Sequence, residues 1–366
     1  MKKYLLGIVL ALSCFALASC GTETEKVDIA HIIFAGGTLE DGGFNQGSWA
    51  GIKDFADDNK LNAKYYHAAE ETIDSTLDSI TLAIGDGAEV VVLPGYNFEV
   101  VVYRAQSMYP DVKFILLDGA PHSGDYVYDI KANTAPIFYQ EEEAGFLAGY
   151  ALVKDGFRKL GFLGGKAYPA VIGFGYGFIN GADIAAQELE LTPGAVELKF
   201  NYAGNFEATN ENQTLAGSWY NSGTEVIFSC GGAVGFSVMA AAEVLPEKYV
   251  VGVDIDQSGD HERVITSAIK NLAGSVYQTL QKWKDGEFPG GKVSRLTVVE
   301  DGVGLPIENS RFRTFTVEDY NAIYQRLVDD TDNIRSNIPL DEDYAKASEV
   351  PTVIVAVEDL YIPPTN

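Results

Sequence analysis

IAHIIFAGG (Ile29–Gly37), TLEDGGFNQGSW (Thr38–Trp49) and AGIKDFADDNKL (Ala50–Leu61) run on without a break near the start of the chain. The first piece reads as a short buried strand ended by a glycine pair. The last predicts a helix with Ile52, Phe55 and Ala56 on an apolar face and Lys53, Asp54, Asp57 and Asp58 on the other. Between them lies a glycine-rich loop carrying Glu40, Asp41, Phe44, Asn45 and Trp49. In an open α/β sheet, the loop that leaves the carboxyl end of a strand and enters a helix is where ligands bind. A phosphate cradle calls for lysine or bare amides there. This loop instead offers two carboxylates, an amide and two aromatic rings, a set that suits a neutral ligand with hydroxyls and a flat ring. The same residues also fit a purely structural role, with Asp41-Gly42-Gly43 a turn and Trp49 part of the core.

Outward from this unit the pattern repeats. NAKYYHAA, AEVVVLPG, VKFILLDG and YVYDIKAN predict four further strands, with helices over ETIDSTLDSITLAIGDG and NFEVVVYRAQSMYP between them. Strands alternating with helices at this spacing mean a doubly wound parallel sheet. A long helix, YQEEEAGFLAGYALVKDG, opens a second series, its three glutamates placed in the first turn where the helix dipole favours them. Four more strands follow (KLGFLGG, AVELKFNYAG, TEVIFSCGG, KYVVGVDID), spaced by helices. ERVITSAIKNLAGSVYQTLQKWKDGEF reads as a helical return to the first lobe. The expected division is a signal peptide over 1–19 and a tether over 20–26. The first lobe takes 27–136 with 256–284, the second 137–255 with 285–330. An acidic extension over 331–366 remains, whose VPTVIVAVEDLYIPP holds a candidate edge strand.

Composition narrows the function. With 366 residues, 46% of them hydrophobic, the chain can bury a full core in two lobes. A formal net charge of −26 argues against nucleic acid and other polyanionic partners. MKK followed by YLLGIVLALSCFALA and LASC (Leu17–Cys20) has the basic, apolar and small-residue regions of a signal sequence. The cysteine at the cleavage point marks a lipobox, so Cys20 is expected to carry lipid and hold the protein at the outer face of a bacterial membrane, in the cell envelope. The apolar run is shorter than the roughly 20 residues of a membrane span. With Cys14 and Cys20 set aside, Cys230 stands alone and no disulfide framework is available.

The chain shows no P-loop, no GxGxxG after a strand, no GxSxG and no HExxH. Polar punctuation does recur at the expected cleft. Asp118 ends the FILLDG strand, Asp254 ends the VVGVDID strand and Lys270 lies in TSAIK. GGAVG (Gly231–Gly235) lets backbone approach a ligand, and Phe174 lies in GFGYGFING. Singly, each fits a cap, a turn or a solvated face. Together they converge on one sheet edge.

EDGGFNQGSWAGIKD, FILLDG, EEEAGFLAGYAL, KLGFLGG, FGYGFINGAD, GTEVIFSCGGAVGFSV, VVGVDIDQ and VITSAIK, behind the lipobox, resemble the basic membrane protein family. These are bacterial substrate-binding lipoproteins that deliver purine nucleosides to an ABC-type importer. The resemblance runs from Ile29 to Lys270. It implies a type I periplasmic-binding-protein clamp, two doubly wound parallel-sheet lobes with the ligand between them. It implies that Asp41 and Asn45 hold the base edge, that aromatics sandwich the ring, and that Asp118, Asp254 and Lys270 hold the ribose hydroxyls and their neighbours. Trp49 and Phe174 are the ring candidates, with Phe44 and Phe236 in reserve. The implied partners are a purine nucleoside (adenosine, guanosine or inosine) and the permease and ATPase subunits, with no catalysis, cofactor or metal. Stacking a base contributes about 1–3 kcal/mol, and carboxylates that accept two hydroxyl protons select a diol. A sugar receptor on the same clamp, a nucleoside hydrolase and a surface adhesin or sensor are the competing functions. VDIDQSGD (Val253–Asp260) is the nearest imitation of a hydrolase aspartate cluster, and it lies late in the chain.

Overall fold

A computed structural model describes residues 26–363. The expected signal sequence and Cys20, the expected site of lipid, lie outside the described residues. The chain opens with β1 (Ile29–Ile33), α1 (Phe44–Asn59), β2 (Ala63–His67), α2 (Ile73–Gly85), β3 (Val90–Pro94), α3 (Glu99–Met108), β4 (Lys113–Leu117) and β5 (Thr134–Tyr139). Helix α4 (Glu141–Lys154) leads on to β6 (Lys159–Gly164), α5 (Pro169–Glu188), β7 (Val196–Tyr202), α6 (Asn210–Asn221), β8 (Val226–Cys230), α7 (Val234–Glu243), β9 (Tyr249–Asp254) and β10 (Val264–Lys270). It closes with α8 (Leu272–Lys284), β11 (Ser294–Leu296), β12 (Val303–Gly304), α9 (Val317–Val328) and β13 (Val355–Asp359).

The strands form two sheets, ordered β11-β5-β4-β3-β1-β2 and β12-β10-β9-β8-β6-β7-β13. Every ladder is parallel except that between β10 and β12. A parallel sheet buried on both faces needs apolar side chains at odd and even positions alike. In the first sheet Ile29, Val90, Val92, Ile115 and Leu117 feed one core, while Ala30, Ile32, Val91, Leu93 and Leu116 feed another. The second sheet does the same with Phe162 and Phe228 on one side and Leu163 and Ile227 on the other. The expected two-lobe α/β clamp is the observed architecture.

Helices α4 and α5 meet backbone to backbone. A Cβ on Gly145 would lie 2.1 Å from the carbonyl oxygen of Phe174, and one on Gly177 would lie 1.9 Å from that of Glu142. Gly149 and Gly181 continue the contact one turn further on, against Phe178 and Phe146. Glycines four apart share a helix face, so EEEAGFLAGYAL and GFGYGFINGAD are two halves of one seam, close enough for Cα–H···O contacts.

Three expectations are corrected. Tyr126–Asn133 is not a strand: its YVY alternation faces water, with Tyr126 and Val127 68% and 69% exposed. The loop is tied down from inside by buried His122, whose Nδ1 accepts the Gly124 amide at 2.9 Å while Nε2 donates to Glu99 at 2.9 Å. The strand is the next segment, Thr134–Tyr139. The supposed helical return begins as strand β10, paired with β9 in the second sheet, because VITSAIK alternates with period two before the helical period of α8 takes over. Only α8 reaches the first lobe, where Gly51 of α1 admits the Ala273 backbone. Conversely, Ser294–Leu296 pairs with β5 in the first sheet, so 256–284 and 285–330 are each divided between the sheets.

The tail docks on the second lobe. Strand β13 lies parallel beside β7 at the sheet edge. Asp183 on α5 accepts the backbone amides of Val353 at 3.0 Å, Ile354 at 2.7 Å and Val355 at 2.8 Å. Tyr176 donates its hydroxyl to the Tyr344 carbonyl at 2.8 Å.

Candidate binding cleft

The carboxyl ends of both sheets face one cavity of about 350 Å³. Asp41, Asn45, Asp118, Phe174, Gly231, Asp254 and Lys270 all line it, and Trp49 does not.

Asp41 organises the loop after β1. Its carboxylate accepts the amides of Gly43 at 2.9 Å, Asn45 at 3.0 Å and Gln46 at 3.1 Å, which satisfies amides left open at the start of α1. Asn45 donates from Nδ2 to the Thr38 carbonyl at 3.0 Å. The loop thus makes its own turn and faces the cavity at once. Gly42 within it has φ +67°, and a Cβ there would lie 2.7 Å from the Phe236 ring of the second lobe, so glycine is required twice over. Gln257 reaches across from the second lobe to donate to the Gly42 carbonyl at 2.5 Å.

Asp118 and Asp254 end β4 and β9 in left-handed backbone, φ 52° and 67°. That is a conformation in which Asp is tolerated better than most side chains, and such strain gathers at functional sites. Lys270, at the end of β10, is the single cation among the described residues lining the cavity. Its Nζ donates to Asp118 Oδ2 at 2.5 Å and lies 5.0 to 5.5 Å from the ring centroids of Phe44, Phe174 and Tyr139. Asp118 Oδ1 is buried and takes no hydrogen bond among the described residues.

Burial pushes the Asp254 carboxyl up to about 7, with Lys270 opposing and Asp118 and Asp41 reinforcing. Burial likewise raises Asp118, against the pull of Lys270. The same burial works against the charge of Lys270, but Asp118, Glu141 and Asp254 together outweigh it and hold the ammonium firmly protonated. The floor therefore carries more acid than base, which disfavours an anionic ligand.

The rings are distributed differently from the expectation. Trp49 sits one turn down α1 from Asn45 and packs on His31 and Tyr65, with centroids 5.8 Å away in each case. Phe174 is in the cavity wall but only 2% exposed, edge-on to Phe228. Phe44 lines the cavity as well, whereas Phe236 lies against Gly42, outside the lining. Phe34, Tyr96, Tyr168 and Phe206 line the mouth. Tyr96 from the first lobe meets Tyr168 from the second at 5.7 Å. Their common signal is an aromatic placed within a few residues of a strand end, beside glycine or proline. Gly231 is needed for backbone packing, since a Cβ there would lie 2.8 Å from the Gly165 nitrogen.

Among the described residues no group of three or more His, Cys, Asp or Glu is arranged to hold a metal ion. No helix among them is long and apolar enough to cross a membrane.

Two α/β lobes enclosing one cleft between their carboxyl edges form the two-lobed clamp that solute-binding proteins use. Solved structures share the fold. One is the ABC transporter solute-binding protein of Aeropyrum pernix K1, with a TM-score of 0.68 and 20% identity, covering 85% of this chain and 89% of that one. Another is that of Conexibacter woesei DSM 14684, with a TM-score of 0.65 and 19% identity, covering 86% and 99%. The profile of the Bmp family, described as ABC transporter substrate-binding protein PnrA-like, matches residues 29–349, and the chain belongs to that family. It is 26% identical over 340 residues to the protein named ABC transporter nucleoside-binding protein BmpA of Lactococcus lactis subsp. cremoris (strain MG1363), covering 85% of this chain and 93% of that protein. It is 28% identical over 315 residues to Basic membrane protein B of Borreliella burgdorferi, covering 84% and 88%. The chain is thus an ABC transporter substrate-binding protein, a class that works with permease and ATPase subunits, and its relatives are binding proteins rather than enzymes.

Proposed function

We propose that the cleft binds a purine nucleoside without altering it, and that the protein, held to the membrane by lipid on Cys20, passes it to the permease. The observation that carries this is the make-up of the cavity. Aromatic rings (Phe34, Phe44, Tyr96, Tyr168, Phe174 and Phe206) and Asn45 share its lining with Asp41, Asp118, Asp254 and Lys270, so ring faces and carboxylates meet in one cleft. Rings offer a flat base its stacking partners. Asp118 Oδ1, buried and unpartnered, asks for a hydroxyl donor, and a second carboxylate beside it suits a vicinal diol. The name of the Lactococcus relative points the same way. A monophosphate would bring charge to an acidic floor with one lysine to meet it.

A thermal-shift panel of nucleosides, bases, monophosphates and simple sugars tests this, with calorimetry on the best ligand. At 100 times the dissociation constant, linkage contributes about 2.7 kcal/mol, which is several degrees of melting shift. Inosine, guanosine or adenosine should produce it and their monophosphates should not. If ribose or galactose shifts the midpoint as far, the ligand is a sugar. Cys20→Ala should move the protein from the detergent phase to the soluble fraction.

A further inference from the structure

Helix α4 begins with three glutamates, and they turn to different partners. Gln140, which precedes the helix, makes no side-chain cap bond, and Glu143 accepts the Val298 amide of a neighbouring segment at 2.7 Å. Glu141 turns to the cleft instead. Its Oε2 lies 3.7 Å from Lys270 Nζ, buried and without a hydrogen bond among the described residues. Gly173 of α5 leaves room for its stem, since a Cβ there would lie 3.1 Å from Glu141 Cγ. Glu141 does not itself line the cavity. It stands behind Lys270.

An ammonium group has three donors. Lys270 spends one on Asp118 at 2.5 Å and otherwise faces the rings of Phe44, Tyr139 and Phe174. A shift of about 1 Å would bring Glu141 within hydrogen-bond range. Two buried acceptors, Asp118 Oδ1 and Glu141 Oε2, therefore flank one under-used cation.

We propose that Glu141 is a positioning residue for the diol end of the cleft: when a ligand hydroxyl reaches Asp118, the Lys270 ammonium moves onto Glu141 and leaves the Asp118 oxygens to the ligand. This rests on the nucleoside assignment above. Asp118 Oδ1 is free for one hydroxyl, but the ammonium holds Oδ2 at 2.5 Å. The second hydroxyl of a diol gains that oxygen only if the ammonium moves, and moving it without another partner would strand a buried charge. Glu141 resolves that conflict by receiving Lys270 as Asp118 turns to the hydroxyls. The charged and titratable groups acting on Glu141 are Lys270 from β10, Asp118 after β4 and Glu142 on α4. Burial raises its carboxyl well above the ordinary range, Lys270 pulls it down, and the two acids add to the rise.

The test compares wild type with Glu141→Gln, which keeps the stem, by calorimetry with inosine and with 2′,3′-dideoxyinosine. If Glu141 acts through Lys270 on the diol, the preference for inosine over the dideoxy compound should fall about tenfold in Glu141→Gln, the worth of one hydrogen bond to a charged group. A merely structural role would weaken both ligands by the same factor and leave the preference unchanged, which would overturn the proposal. Melting curves without ligand provide a second readout. A carboxyl whose folded pKa is raised stabilises the fold at low pH and loses that contribution as pH rises above its unfolded value. Glu141→Gln should therefore gain on wild type between pH 5 and pH 8, and parallel curves would show that no charge at Glu141 opposes this wall. If wild type binds no nucleoside while the melting curves diverge, the nucleoside assignment has failed and the charge role of Glu141 survives. Nucleoside binding with an unchanged preference is the reverse case.

Discussion

Removing the Asp183 carboxylate should release the carboxyl-terminal strand. The acid is buried on α5, and its acceptors serve the amides of Val353, Ile354 and Val355 and the side chain of Gln187. Val353 is exposed and its amide can turn to water, but Ile354 and Val355 are buried. In Asp183→Ala those two donors lose their acceptor, at about 1–3 kcal/mol each, so roughly 2–6 kcal/mol is at stake. The tail can avoid that cost by detaching, which caps the loss at the stability that docking of β13 contributes. Truncation after Glu349 measures the cap directly. Hydrogen exchange of peptides covering Val355–Asp359, followed with the melting midpoint, reads both quantities. Asp183→Ala should speed exchange there by an order of magnitude or more and melt no lower than the truncated chain. Asp183→Asn keeps one acceptor and should fall between. If tail peptides of Asp183→Ala exchange at the wild-type rate, Asp183 does not hold the strand.

Asp254→Asn tests the raised carboxyl. Wild-type stability should be full below the unfolded value near 3.8 and decline as pH rises to about 7, so the variant should gain on it across that window by at most about 4 kcal/mol and hold the gain above it; equal melting differences at pH 4 and pH 8 would refute the shift. Trp49→Ala should cost about 2 kcal/mol of stability by opening the packing on His31 and Tyr65, while ligand affinity by calorimetry stays within about twofold. Gly177→Ala forces a methyl against the Glu142 carbonyl and should cost about 1–3 kcal/mol. It should also weaken ligand binding, because α4 and α5 carry Glu141 and Phe174.

Much of this site is legible in the sequence, for a physical reason. Asp118 and Asp254 each end an apolar strand run, and in a doubly wound fold the carboxyl ends of the strands converge. Trp49 reads as a residue of the ligand loop, but α1 already begins at Phe44, so Trp49 sits a turn down the helix and the cavity reaches only the first turn. Glu141 reads as a dipole-favoured acid because a helix start gives no sign of whether solvent or a cleft lies beyond it. Phe34, Tyr96, Tyr168 and Phe206 sit in loops without periodicity, and only the folded lobes bring them to one mouth. The strand end at Lys270 is hidden, since VITSAIK reads on into the helix after it, and a strand that runs straight into a helix carries no turn residue to mark the join.

The left-handed backbone at Asp118 and Asp254 sets what can be done to redirect the cleft. At φ 52° and 67° the chain accepts Asn or Gly readily and resists branched side chains. Exchanges at these two corners can therefore strip charge or open space, whereas adding bulk would strain the main chain before it touched a ligand. New bulk is better grown from Tyr96, Tyr168 or Phe206, whose φ values are not in that region. A library for new ligands would vary the mouth widely and keep the floor to a three-letter alphabet.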